Sequence, residues 1–274
     1  MRTVQFPSGE RVPVLGQGTW HLGEDPGVRQ QEIAAMRLGL DLGMTLIDTA
    51  GMYVGAEDLI REAIAGRRNE CFLVDKISPQ HATRQGTIEV CENSLRQLVT
   101  DRIDLYLLHW RGAVPLDETV DAFERLIADG KIRYWGVSNF NVADMTDLFQ
   151  IPEIEPQTDQ VLYNLTHRGV EWDLLPWCRL HRCPMMAYSP VEEGTLLDHP
   201  LLVRVARRHG ATPAQIAIAW VLRHPDVITI PKAGKPEHVR ENHDALDIFL
   251  TKRDLRDLEN VFESPTERVA LEVT

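Results

Sequence analysis

The sequence predicts an α/β protein whose strands close into a (β/α)8 TIM barrel with an N-terminal β-hairpin cap. Two observations lead there. Eight apolar, β-branched runs alternate with longer stretches of helical period along the chain, which is the pattern of βαβ units laid on a parallel sheet. The 274 residues also suit one such barrel, a fold that occupies about 250 residues as a single domain. Alternation alone does not prove closure, because a doubly wound open sheet alternates in the same way. Eight repeats favour the barrel. No linker, low-complexity tract or internal repeat marks a second domain, so residues 1–274 are read as one.

The elements follow in order. Residues 4–6 and 11–14 flank Pro7-Ser8-Gly9-Glu10; two extended runs around a Gly-containing turn predict a hairpin ahead of the barrel, placed to cap one end. The eight barrel runs are 14–18, 45–48, 71–74, 104–108, 134–137, 158–161, 184–187 and 227–230. Between them apolar residues recur at helical spacing, as in Ile88, Cys91, Leu95 and Leu98, or Val120, Phe123 and Ile127. Helix ends are marked too. Thr212 is an N-cap with Pro213 at the first helical position, Pro236 opens the next helix, and Gly43 and Gly130 stand where C-terminal glycines close one.

Lysine and arginine number 29 against 41 aspartates and glutamates, a net charge of −12. That weighs against nucleic acid and against an anionic membrane surface as partners. Hydrophobic residues at 43% and charged residues at 26% are the balance of a soluble globular chain. The longest wholly apolar runs, such as 216–222, fall far short of the roughly 20 residues of a membrane span. Met1-Arg2-Thr3-Val4-Gln5-Phe6-Pro7 lacks the apolar stretch of a secretory signal, so a cytoplasmic location is expected. Cys71, Cys91, Cys178 and Cys183 are irregularly spaced and read as reduced core thiols, with neither a disulfide framework nor a zinc site. No apolar stripe stands outside the predicted core, which points to a monomer.

Several motifs begin and fail. Gly16-Gln17-Gly18-Thr19-Trp20-His21 starts like a dinucleotide-binding glycine loop but has His21 at the third glycine. Gly136-Val137-Ser138-Asn139-Phe140 imitates a nucleophile elbow for three positions, then places Phe140 where a glycine is needed. His238 and His243 are spaced so that they cannot share a helix face as zinc ligands. A metal-dependent barrel hydrolase would carry several His and Asp ligands, commonly opening with a His-x-His pair, and none exists here. No metal is expected.

Barrel enzymes place their chemistry at the C-terminal ends of strands. Asp48 ends the second run, Tyr53 lies in the loop beyond it, and Lys76 and His109 stand at the C-terminal ends of the third and fourth, just past 74 and 108. Singly each has a plain explanation: an N-cap, a solvated charge, a hydrogen-bonded core histidine. Together they make a proposal. A tyrosine with a reference pKa near 10 is a weak acid at neutral pH unless a cation stabilises its phenolate. Lys76 supplies the cation, the Asp48 carboxylate keeps a buried Lys76 charged, and His109 orients a carbonyl oxygen or relays its proton. The product is a general acid aimed at a carbonyl, which suits reduction by hydride.

These residues carry a resemblance. Asp48-Thr49-Ala50 followed by Tyr53 and Glu57, Leu73-Val74-Asp75-Lys76, Asp104-Leu105-Tyr106-Leu107-Leu108-His109-Trp110, Gly136-Val137-Ser138-Asn139-Phe140 and Ile230-Pro231-Lys232 resemble the successive signatures of the aldo-keto reductase superfamily, from about residue 4 to 258. Within it the chain is most similar to short bacterial members that reduce methylglyoxal and related small aldehydes. The resemblance implies that Asp48, Tyr53, Lys76 and His109 are the catalytic tetrad, with Tyr53 as proton donor, and that the cofactor is NADPH/NADP. It implies that Ser138, Asn139 and Gln160 hold the nicotinamide carboxamide, that Tyr188 stacks on the ring, and that Trp20 and Trp110 line the substrate pocket. Donors and acceptors suit a carboxamide, and a flat ring gains from stacking.

Lys232 then matches the residue that meets the 2′-phosphate of NADP, and Glu241 and Asn242 match residues near the adenine. His238 departs from the family pattern, standing where an arginine clamps the same phosphate; a neutral imidazole offers no fork of donors. Lys235 or Arg240 stands near enough in sequence to compensate. A preference for NADPH over NADH with a reduced margin is expected. Glu192-Glu193 adds two acids to the loop that the family folds over the pyrophosphate. Short segments after His109 and after Leu258 imply an open pocket for small, reactive aldehydes and dicarbonyls. Two other readings stay open: an NADPH-binding regulatory subunit with little turnover, and a metal-dependent barrel hydrolase.

Overall fold

Apart from Arg133 and Tyr134, the central strands are buried on both sides almost throughout, which is why they are mostly apolar. The computed structural model describes residues 1–273. Strands β1 (Thr3–Gln5) and β2 (Arg11–Pro13) pair antiparallel around a turn in which Gly9 takes φ +89°. Then come β3 (Gln17–Gly18), β4 (Leu46–Asp48), β5 (Phe72–Ile77), β6 (Ile103–Leu108), β7 (Ile132–Ser138), β8 (Asp159–Leu162), β9 (Met185–Tyr188) and β10 (Val227–Thr229), parallel and in sequence order. The sheet closes. Bridges join Leu15 to Thr229 and Gly18 to Lys232, and the Gly16 and Gly18 amides donate to Thr229 O at 2.8 Å and Pro231 O at 3.1 Å. The open-sheet alternative is thereby excluded.

That seam explains why the expected run 14–18 is regular strand only at Gln17–Gly18. A Cβ on Gly18 would lie 2.6 Å from the Ile230 carbonyl oxygen, and one on Gly16 would lie 3.1 Å from the Ile230 side chain. Only glycine lets the two edges approach so closely.

Side chains alternate along the strands. Leu46, Phe72, Val74, Leu105, Leu107, Met186 and Ile228 form one cluster with Val4, Phe6 and Val12 of the hairpin; this is the barrel interior. Ile47, Leu73, Ile77, Tyr106, Leu108, Trp135 and Val137 belong to a second cluster with the helices. The Phe6 ring lies 5.9 Å from that of Phe72, at the start of β5, so the hairpin plugs the N-terminal mouth as the sequence predicts.

The outer layer comprises α1 (Arg29–Asp41), α2 (Ala56–Ala63), α3 (Arg84–Leu98), α4 (Leu116–Ala128), α5 (Val142–Leu148), α6 (Leu174–Leu180), α7 (Pro200–His209), α8 (Pro213–Val221), α9 (Pro236–Asp244) and α10 (Lys252–Glu259). The end signals hold: Thr212 accepts from the Gln215 amide in a capping box, and Gly43 and Gly130 close α1 and α4 with φ of +86° and +71°. The four cysteines are buried and free. Among the described residues no helix is long and apolar enough to cross a membrane.

Candidate active site

The same period of two that sends Leu46, Val74 and Leu107 into the barrel sends Asp48, Lys76 and His109 inward at its C-terminal mouth. There the interior turns polar. Lys76 Nζ donates to both Asp48 carboxylate oxygens at 2.8 and 2.7 Å and to the Thr49 carbonyl at 2.8 Å. Gln160 Nε2 donates to Asp48 Oδ1 at 2.7 Å. Lys76 is 2% exposed and Asp48 3%, so the pair is out of water and its geometry is fixed. Above it stands Tyr53, its ring centroid 5.3 Å from Lys76 Nζ and 6.1 Å from the His109 ring.

Tyr53 is held by its loop. Its amide donates to Ala50 O at 2.8 Å, and Gly55 follows with φ +76° at the start of α2. Gly55 presses on Gly23: a Cβ on either would fall within 2.4 Å of the other's carbonyl oxygen. The loop carrying Trp20 and His21 is therefore locked to the loop carrying Tyr53, and Thr19 Oγ1 donates to Asp48 O at 2.9 Å to fasten both to β4.

Burial opposes charge on Lys76, but the Asp48 carboxylate and then Tyr53 outweigh it, and its pKa is raised; the ammonium persists at neutral pH. For Tyr53 the outcome differs from the sequence expectation. Burial is the larger influence and raises its pKa, while Lys76 pulls it back down. The phenol therefore stays protonated, as a donor must, and Lys76 limits the rise. Burial, with Lys76 second, pushes His109 down to about 3, so its imidazole is neutral. His109 Nδ1 is buried and finds no partner among the described residues. An unpaired acceptor is less costly than an unpaired N–H, which places the hydrogen on Nε2.

A cavity of about 610 Å³ opens over this group. It is lined by Trp20, Asp48, Tyr53, His109, Trp110, Asn139, Gln160, Tyr188, Lys232 and His238 from among the residues singled out in the sequence. Lys76 lies beneath it. Ser138 does not line it either: it is 1% exposed, and its hydroxyl donates to Gln160 O at 2.8 Å and accepts from Asn139 Nδ2 at 3.2 Å. Asn139 also donates to His109 O at 3.0 Å and accepts from the Tyr188 hydroxyl at 3.0 Å. Glu241 and Asn242 sit on α9 away from the lining, Asn242 being buried. Lys232 and His238 line the cavity as exposed side chains.

The loop after β9 makes one wall through Ser189, Pro190, Val191, Glu193 and Gly194. Ser189, Glu192 and Glu193 all adopt positive φ, between +49° and +51°, a conformation costing about 1–2 kcal/mol each for a residue with a Cβ. Contacts hold it there. Asn164 donates to Ser189 O at 2.8 Å and bonds Glu192. His167 Nε2 meets Glu192 Oε1 at 3.0 Å, while its Nδ1 stands 3.0 Å from Glu272 of the C-terminal tail. Glu192 is thus turned away from the cavity and only Glu193 borders it. Met52, Thr19 and His21 also line the cavity, and sequence reasoning gave them no role. Met52 could have been found from its place beside Tyr53; His21 stacks on Trp20 with ring centroids 4.4 Å apart, which nothing in the sequence announces.

Known proteins resemble this chain in sequence and in fold. Residues 14–263 match the sequence description of the aldo/keto reductase family. Methylglyoxal reductase YeaE of Escherichia coli (strain K12) is 45% identical over 99% of both chains. Glyoxal reductase of Bacillus subtilis (strain 168) is 33% identical over 92% of this chain and 90% of its own. The crystal structure of an aldo-keto reductase from Klebsiella pneumoniae in complex with NADPH superposes with a TM-score of 0.97 at 47% identity, covering 100% of this chain and 99% of that one.

Proposed function

Because the chain belongs to the aldo/keto reductase family, we propose that it reduces small aldehydes and dicarbonyls of the methylglyoxal type to alcohols, using NADPH and with Tyr53 as proton donor. One observation carries the reading: a charged Lys76, doubly bonded to Asp48, lies 5.3 Å beneath the Tyr53 ring at the floor of an open cavity. That is a protonated phenol with its acidity supported from below, facing a space where a carbonyl fits.

The cavity's chemistry fits the cofactor. Its lining offers the Asn139 side-chain amide and the Tyr188 ring, which suit a carboxamide on a flat ring, and the Lys232 ammonium and His238, which suit a phosphate. NADPH bound there would supply the hydride. The rest is done by the chain. Neutral His109 donates from Nε2 to the carbonyl oxygen and orients it. Tyr53 gives its proton to that oxygen as negative charge develops, and the Lys76 ammonium stabilises the phenolate left behind. Trp20 and Trp110 wall the pocket and exclude water. Lys232 favours the phosphorylated cofactor, with a margin narrowed by His238. The setting is that of a cytoplasmic monomer acting on a small molecule; a net charge of −12 and four free thiols support it.

The test is NADPH oxidation, followed by loss of nicotinamide absorbance, with methylglyoxal and with an aromatic aldehyde, for wild type and Tyr53→Phe. A loss of at least about a hundredfold in the variant, with NADPH binding retained, is expected. Tight NADPH binding without wild-type turnover would overturn the reading in favour of a regulatory subunit.

A further inference from the structure

Behind β5 lies a second group of polar side chains that the reaction above leaves unused. Asp75 is the residue before Lys76, so it points to the opposite face of the strand, out of the barrel and under the helices. It is fully buried, and its cross-strand partner on β6 is Tyr106, also fully buried. Glu57 reaches the same layer from α2, and Thr87, Cys91 and Ser94 line it from one face of α3. Among the described residues no basic side chain bonds either carboxyl group. Glu57 Oε1, Asp75 Oδ2, Thr87 Oγ1 and Tyr106 Oη are all buried without a partner. Two carboxyl groups thus share one buried layer, with the Ser94 hydroxyl within hydrogen-bond reach of both and Asp75 in the field of Glu57.

Such a pair does not ionise twice near neutral pH, because each added charge meets burial and a like charge. Burial, then Glu57, pushes Asp75 up to about 7. Asp75 is not isolated from the reaction. The Lys76 amide donates to its Oδ1 at 2.8 Å, and a charge on Asp75 raises the pKa of both Lys76 and Tyr53. The titratable groups facing it are Glu57 from α2, with Asp58 behind, Cys91 from α3, Tyr106 from β6, and Lys76 across its own strand.

We propose that Asp75 is a positioning residue of the reaction, an outward-facing carboxyl which, paired with Glu57, sets by its charge how readily Tyr53 gives up its proton. The inference rests on Tyr53 being the donor. With Asp75 neutral, the charges acting on Tyr53 are the Lys76 ammonium, which makes it the better acid, and Asp48, which opposes this. When Asp75 ionises, a negative charge one strand away makes the phenol a poorer acid and proton transfer slows. Neither Tyr53 nor His109 titrates between pH 5.5 and about 9, since one is raised above its ordinary value and the other sits at about 3; an inflection in kcat that vanishes in Asp75→Asn and moves in Glu57→Gln therefore belongs to the pair and not to Asp48 or His167, which are also raised.

The experiment is a kcat profile from about pH 5.5 to 9 at saturating NADPH and carbonyl substrate, for wild type, Asp75→Asn, Glu57→Gln and Tyr53→Phe. Beside it, infrared difference spectra of the ligand-free proteins follow protonated carboxyl groups over the same range. The wild type should lose kcat roughly threefold as pH rises through the inflection, with a buried-carboxyl band disappearing over the same interval. Asp75→Asn keeps the acceptor for the Lys76 amide and should show neither change. Glu57→Gln should move both to lower pH, because the Glu57 charge helps hold the Asp75 proton. A folded Asp75→Asn that keeps the inflection, or loses kcat equally at every pH, overturns the proposal. If Asp75→Asn does not fold, an unmoved inflection in Glu57→Gln does so. Should Tyr53→Phe turn over like wild type while the carboxyl band still titrates, the fault lies with the Tyr53 assignment, and this inference falls with it.

Discussion

Replacing Lys76 by Met removes an ammonium that donates to both oxygens of Asp48 and to Thr49 O. Asp48, 3% exposed, is then left with Gln160 as its remaining side-chain donor. Breaking a buried pair from one side costs about 3–5 kcal/mol, because the surviving charge stays desolvated. At about 2 °C per kcal/mol for a chain of this length, Tm should fall by roughly 6–10 °C. Adding Asp48→Asn removes the stranded charge. Its amide oxygen can still accept from Gln160, leaving chiefly the Thr49 carbonyl unsatisfied at about 1–2 kcal/mol. The double variant should therefore be more stable than the single one. Burial without Lys76 favours the neutral form of Asp48, so the destabilisation of Lys76→Met should shrink as pH falls and Asp48 takes up a proton. Thermal unfolding of wild type, single and double variants at pH 7 and pH 4.5 checks this. A Lys76→Met protein within about 1 kcal/mol of wild type, or a double variant less stable than the single, would refute the account of the pair.

Three further outcomes are expected. Lys232→Met should weaken NADPH binding by roughly tenfold or more while leaving NADH unchanged, as read by fluorescence titration; equal wild-type affinities for the two cofactors would contradict the preference. His167→Gln should speed cofactor release severalfold, since His167 links Glu192 of the strained loop to Glu272 of the tail. These two acids outweigh burial and raise its pKa, so the wild-type off-rate should climb as pH rises and the imidazolium is lost, while that of the variant stays flat in stopped-flow traces. Gly18→Ala drives a methyl to 2.6 Å from Ile230 O and should cost about 3 kcal/mol or more in denaturant unfolding; an unchanged midpoint would mean the seam is looser than described.

Much of this architecture could be read from the chain because strand and helix periods are local. The run 45–48 ends at Asp48 and the run 104–108 just before His109, so alternation alone put both at the barrel mouth. Lys76 needed β5 to extend beyond the expected 71–74, through Asp75 and Lys76 to Ile77. What escaped depends on contacts between distant segments. The Gly23–Gly55 approach that fixes Tyr53 joins two loops with no shared pattern. Ser189, Glu192 and Glu193 are not residues whose identity announces positive φ. Lys76 lowers the Tyr53 pKa as the sequence implies, but the depth of burial that outweighs it is not visible in the sequence. Asp75, beside a lysine in sequence, looks like its counter-ion until β5 places the two on opposite faces.

The seam between β3 and β10 also sets an order on the making of the protein. The residues that close the ring, 14–18 and 227–232, lie near opposite ends of the sequence. A growing chain therefore spends most of its synthesis as an open sheet, with β3 exposed at one edge and the newest strand at the other. Pairings of such long sequence separation form slowly, and unpaired edges invite intermolecular pairing in the meantime. A chain interrupted before Val227 is accordingly not a smaller barrel but a sheet with two sticky margins, and its fate is aggregation or degradation.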